Sequence, residues 1–82
     1  MRLISQDKYI DIPYETVGVA ICAKDDRCIV ALSMSDPNEE YAIPLGVYSS
    51  NEKALKVMAK MHKHYRYNGK NFTFPLDSEV AK

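Results

Sequence analysis

Residues 62–74 (HKHYRYNGKNFTF) are where this 82-residue chain comes nearest to a binding chemistry. Lys63, Arg66 and Lys70 alternate with Tyr65, Tyr67 and Phe72. That mixture lets a protein stack a base and hold its phosphate. With Lys60 one helical turn earlier, the spacing nominates Lys60, Lys63, Arg66, Tyr67 and Lys70 as a site for an anionic ligand. A structural reading stands beside it, because cations near a helix C-terminus offset the helix dipole. The stripe Lys53, Lys56, Lys60 and Lys63 reads most simply as a solvated helix face.

Eleven basic and eleven acidic residues cancel, so no overall field draws the chain to nucleic acid or membrane. The distribution is uneven. Residues 1–48 carry eight acidic and four basic side chains, a net of −4, whereas residues 49–70 carry six basic and one acidic, a net of +5. An anionic partner is therefore expected at the second segment.

Other chemistries have weaker support. There is no Gly-rich phosphate loop, nucleophile elbow, HExxH or CxxC. The pairs Asp25-Asp26 and Glu39-Glu40 fall in expected turns, where carboxylates are solvated rather than tuned by burial. His62 and His64 are two apart and diverge on a helix, so no metal site is expected. The chain is expected to be a non-enzyme with no cofactor.

The elements that must position these residues follow from periodicity. Arg2 to Ser5 and Tyr9 to Ile12 predict two strands about a Gln6-Asp7-Lys8 turn, ended by Pro13. Val17 to Lys24 and Arg27 to Met34 predict a hairpin turning on Asp25-Asp26. A two-residue turn pairs Ile21 with Val30, Val19 with Leu32 and Val17 with Met34. It also separates a bulky face from a flat one. Cys22 and Cys28 then fall on opposite faces, as two buried thiols; a three-residue turn would instead bring them face to face. Two cysteines are too few for a disulfide framework.

Ser35-Asp36-Pro37-Asn38 predicts a type I turn. A third strand over Tyr41 to Tyr48 follows, with an edge position or bulge at Pro44. Ser49 and Glu52 form a capping-box pattern. It opens a helix at about residues 50–67 with Ala54, Leu55, Met58, Met61, His62 and Tyr65 on its apolar arc. Asn68-Gly69 closes that helix, and Phe72 to Phe74 predicts a last strand.

The expected fold is thus a single α+β domain: one antiparallel sheet of about four to six strands, with one amphipathic helix across its bulky face. The flat face (Gly18, Ala20, Ala31, Ser33 and Ala42, with Cys22 and Gly46) is apolar enough to want a cover. A chain of this size buries only ~60% of its unfolded surface. Together these features predict a homo-oligomer joined through that face. The longest apolar run, Val17 to Ala23, is too short for a membrane helix, and the expected compartment is bacterial cytoplasm.

Three stretches resemble a group of short proteins carried by phages, prophages and plasmids of Gram-positive bacteria. They are Ile4-Ser5-Gln6-Asp7 with Asp11-Ile12-Pro13-Tyr14-Glu15; Tyr48-Ser49-Ser50-Asn51-Glu52-Lys53-Ala54; and Phe72-Thr73-Phe74-Pro75 before acidic residues. Lys8 stands where such proteins often carry glycine, and Asn51 where they often carry an acid. The resemblance brings no reaction and no functional residues. It implies a mobile-element accessory protein, which suggests stoichiometric binding of a host protein or nucleotide signal, with interference in anti-phage defence. A nucleic-acid-binding or regulatory module and a virion structural component are the alternatives.

Overall fold

The structure is a computed structural model in which residues 1–33 and 42–80 are described. The turn expected at Ser35 to Asn38, the Glu39-Glu40 pair, Met34 and Tyr41 lie outside the described residues. The α+β class holds: the described residues form six strands and one long helix, in the order β1 (Arg2–Ile4), β2 (Asp11–Pro13), β3 (Val17–Ile21), β4 (Cys28–Ser33), β5 (Ile43–Val47), α1 (Asn51–Arg66) and β6 (Asn71–Thr73). The strands are divided between two three-stranded sheets rather than forming one. The first sheet runs β2-β1-β6 and the second β3-β4-β5.

In the first sheet β1 is central. It pairs antiparallel with β2 (Leu3 opposite Ile12) and parallel with β6 (Leu3 opposite Phe72). The β1–β2 connection is shaped by the buried Ser5 hydroxyl, which donates to Asp7 Oδ1 at 2.5 Å and accepts the Ile10 N–H at 3.1 Å. Lys8 takes a left-handed φ of 67° there, a conformation costly for any residue with a Cβ.

The central hairpin has a different register from the expected one. Val19 lies opposite Ala31 and Ile21 opposite Ile29, one residue away from the pairing of Ile21 with Val30. The cause is the turn. A two-residue hairpin turn favours positive φ, which suits Gly and Asn better than Asp, and neither Asp25 nor Asp26 adopts it. Instead the Asp25 carbonyl accepts the Cys28 N–H at 3.1 Å and its Oδ1 accepts the Arg27 N–H at 3.0 Å. The loop is therefore five residues, Ala23 to Arg27, and its odd length turns β4 over.

This correction removes the flat face. Ala31 is 1% exposed within the core, and Ser33 shares its side of β4. Gly18 and Ala20 lie on the other side, opposite Leu32 and Val30. Of the proposed interface residues Gly18, Ala20, Ala31, Ser33 and Ala42, the first two and the next two point away from each other. A homo-oligomer built on that face loses its basis.

At β5 the expectation of an edge strand with a bulge near Pro44 holds. Pairing slips between Ile29–Gly46 and Val30–Pro44, and the extra residue, Leu45, enters the core. Gly46 is required by close approach, since a Cβ there would sit 2.9 Å from Tyr48 Oη.

The helix cap is shifted by one residue. Ser50, not Ser49, accepts the Lys53 N–H, at 3.2 Å. The Ser49 N–H is donated to Asp77 Oδ1 at 2.7 Å. The buried stripe rotates accordingly to Lys53, Ala54, Val57 and Met61. Leu55 and Tyr65, expected inside, are 51% and 43% exposed. Lys53 leaves the solvated stripe, its ammonium donating to the Asp77 carbonyl at 3.2 Å and lying 3.4 Å from Asp77 Oδ2. The core unites both sheets with the helix: Leu3, Ile29, Ala31, Leu45, Tyr48, Ala54, Val57, Met61 and Phe74 form one cluster.

Candidate functional site

The helix C-terminus sets the geometry of the basic segment. Tyr67 is the C-cap, Asn68 takes a φ of 63°, and two bonds close the end: Gly69 N–H to His64 O at 2.9 Å and Asn68 N–H to Tyr65 O at 3.0 Å. This is a Schellman closure with asparagine as its left-handed residue. Gly69 serves by lacking a side chain, because a Cβ there would meet the His64 ring at 2.1 Å. These bonds close the last helical turn, from which the side chains project.

Helical spacing then sorts the candidates. Lys63, Arg66 and Tyr67, with Ala59 and His62, line one open groove of about 300 Å³. Lys60 faces a second groove of about 330 Å³, between α1 and β6, with His64, Asn71, Phe72, Thr73 and Pro75. Lys70 lies beyond the cap and lines neither groove; its carbonyl accepts the Arg2 N–H at 2.8 Å. So three of the five candidates converge. Lys60 belongs to a neighbouring surface and Lys70 stands apart.

Among the described residues, Lys60, Lys63, Arg66 and Lys70 have no carboxylate within ion-pair distance. Their charges are available to a partner. Tyr67 is 72% exposed, so its ring is open to stacking. The other aromatic residues of the segment are engaged in the fold. Tyr65 packs on Tyr14 with ring centroids 4.5 Å apart. Phe72 lies 5.7 Å from His64 and 5.1 Å from Phe74, the latter pair edge to face. His62 and His64 fall in different grooves, as their spacing requires, and among the described residues no three metal-ligating side chains converge.

The acidic side chains show how much of the chemistry is structural. Asp25 is held below the ordinary carboxylate range by its hydrogen bonds from Arg27. Asp77 is lowered chiefly by the Ser49 N–H, with Lys53 adding to it. Asp7 is lowered by the Ser5 hydroxyl and the Tyr9 N–H. Each fastens a turn or a helix start. Tyr48, by contrast, is pushed well above its ordinary value by burial; its hydroxyl donates to the Pro75 carbonyl at 2.9 Å.

His62, expected on the apolar arc, is instead exposed and lines the groove with Lys63, Arg66 and Tyr67. The arrangement offers charge and one exposed ring on an open surface, which suits the capture of an anionic partner. No helix among the described residues is long and apolar enough to cross a membrane. No family model, curated protein or solved structure matches the chain.

Proposed function

We propose that this chain is an accessory binding protein of phage or mobile-element type. It acts in the bacterial cytoplasm by stoichiometric capture of an anionic host target, an effector protein's acidic surface or a nucleotide signal, and so blunts an anti-phage defence. The observation that supports it is the grouping of Lys63, Arg66 and Tyr67 on one exposed helix end without a carboxylate partner among the described residues. The phage setting comes from the resemblance of the N-terminal hairpin, helix start and last strand.

A second reading, nucleic-acid binding, is favoured by Lys60, His64 and Phe72 beside that surface. Salt separates the two. Backbone phosphate binding weakens steeply as counterions are released, whereas a shaped protein or nucleotide contact changes less.

The test identifies what copurifies from host lysate, by mass spectrometry of proteins and small molecules, and then titrates that species calorimetrically. The chain has no tryptophan, so a bound nucleotide raises the 260 nm absorbance clearly. Lys63→Glu with Arg66→Glu should lower the affinity at least ~10-fold, about 1.4 kcal/mol, with the helix signal retained. Unchanged affinity in the folded double variant would overturn the proposal.

A further inference from the structure

The register that removes the flat face also brings the two cysteines together. The Cys22 N–H donates to the Cys28 carbonyl at 2.9 Å, which places them opposite each other just beyond the Ile21–Ile29 pair. Both side chains then emerge on the same side of the hairpin, away from Ile21 and Ile29. Opposed residues at such a position have Cα atoms ~5.5 Å apart, inside the ~4.4–6.8 Å that a disulfide spans. Both cysteines are free and half-buried rather than sealed in the core. The Cys28 N–H is turned to the Asp25 carbonyl at 3.1 Å, and the ladder ends here, where backbone can adjust to a new bond. The Cys28 thiol is pushed up by burial and then by the nearby Cys22 and Asp25, in keeping with two adjacent sulfurs.

We propose that Cys22 and Cys28 form a reversible cross-strand disulfide by exchange with a small-molecule disulfide such as oxidised glutathione. One cysteine thiolate attacks a glutathione sulfur, forming a mixed disulfide and releasing one glutathione thiol. The second thiolate attacks the protein sulfur of that bond and expels the other glutathione. Two protein thiols are oxidised, one glutathione disulfide is reduced, and the two protons end on the two glutathiones.

The bond closes the loop that holds the start of α1. Within that loop the Arg27 carbonyl accepts the Tyr48 N–H at 2.9 Å and the Asp26 carbonyl accepts Asn51 Nδ2 at 2.7 Å. Oxidation therefore staples the support of the helix whose far end carries the basic groove.

Equilibration of the full chain in glutathione buffers, followed by acid quenching and mass spectrometry, tests this. The oxidised product should be a monomer lighter by about 2 Da, with an effective thiol concentration at least ~10-fold higher in the folded protein than in guanidinium. Its melting temperature should rise by several degrees. Cys22→Ser and Cys28→Ser should each stop at a single glutathione adduct. A doubly glutathionylated chain, disulfide-linked dimers, or a folded-to-unfolded ratio of one or less would overturn the proposal.

Discussion

Gln6 meets Val47 as one peptide group meets another across a sheet: its Oε1 accepts the Val47 N–H and its Nε2 donates to the Val47 carbonyl, both at 3.1 Å. The same amide reaches the Pro75 carbonyl at 3.1 Å, and the Gln6 N–H binds the Leu45 carbonyl at 2.7 Å. One side chain thus extends the edge of the second sheet onto the turn of the first. Gln6→Ala should destabilise the domain by about 0.5–1.5 kcal/mol, since the Val47 groups lose their protein partner while the Pro75 carbonyl keeps the Tyr48 hydroxyl. Urea denaturation measures it.

Lys8 is the opposite case, a residue in a conformation it does not favour. Lys8→Gly should raise stability by about 0.5–1 kcal/mol by relieving the left-handed φ, net of the extra freedom glycine has when unfolded. Lys8→Val should lower it. A paired thermal melt of the two variants gives the sign directly.

The rotation of the helix stripe is tested by two acids placed two residues apart. Val57 is fully buried and Leu55 is half exposed. Val57→Asp should unfold the chain, since an uncompensated buried carboxylate costs several kcal/mol, about 3–5. Leu55→Asp should stay within about 0.5 kcal/mol of wild type. Circular dichroism under identical conditions distinguishes them.

Asp77 makes stability depend on pH. Its folded-state pKa is lowered, first by the Ser49 N–H and then by Lys53. The folded protein therefore gives up this proton more readily than the unfolded chain does. The resulting stabilisation is fully present above the ordinary carboxylate pKa of 3.8, and it is lost as pH falls from there through the folded value. Asp77→Asn should be less stable than wild type at pH 7, with the difference shrinking toward pH 2. Urea midpoints across that range check the convergence.

What the sequence could and could not reveal follows from the range of each interaction. The helix was legible from its 3.6-residue period and terminal Asn68-Gly69, and the β5 bulge from Pro44. Cap and stripe were each misplaced locally, because Ser49 and Ser50 both qualify as caps and the choice depends on Asp77, 28 residues from Ser49. The hairpin register failed because an Asp-Asp pair does not fix its turn length. The parallel β1–β6 pairing joins residues about 70 apart and leaves no local trace. In the basic segment, residue types pointed to a cationic surface for an anionic partner. Only the helix geometry separated Lys63, Arg66 and Tyr67 from Lys60 and Lys70. Gln6, Tyr48, Lys53, Pro75 and Asp77, far apart in sequence, meet where they hold the fold together.

The position of β1 between β2 and β6 orders events during synthesis. Residues 2–4 are made well before residues 71–73, and one flank of that strand stays unpaired until the latter have emerged. The β3-β4-β5 sheet and α1, whose contacts are nearer in sequence, can assemble first. Until then Leu3 lacks Phe72 beside it, and the core lacks Phe74. Nascent or truncated chains therefore display an open strand edge beside apolar side chains, the surface that chaperones and proteases recognise. Residues 71–74 close that edge and complete the core.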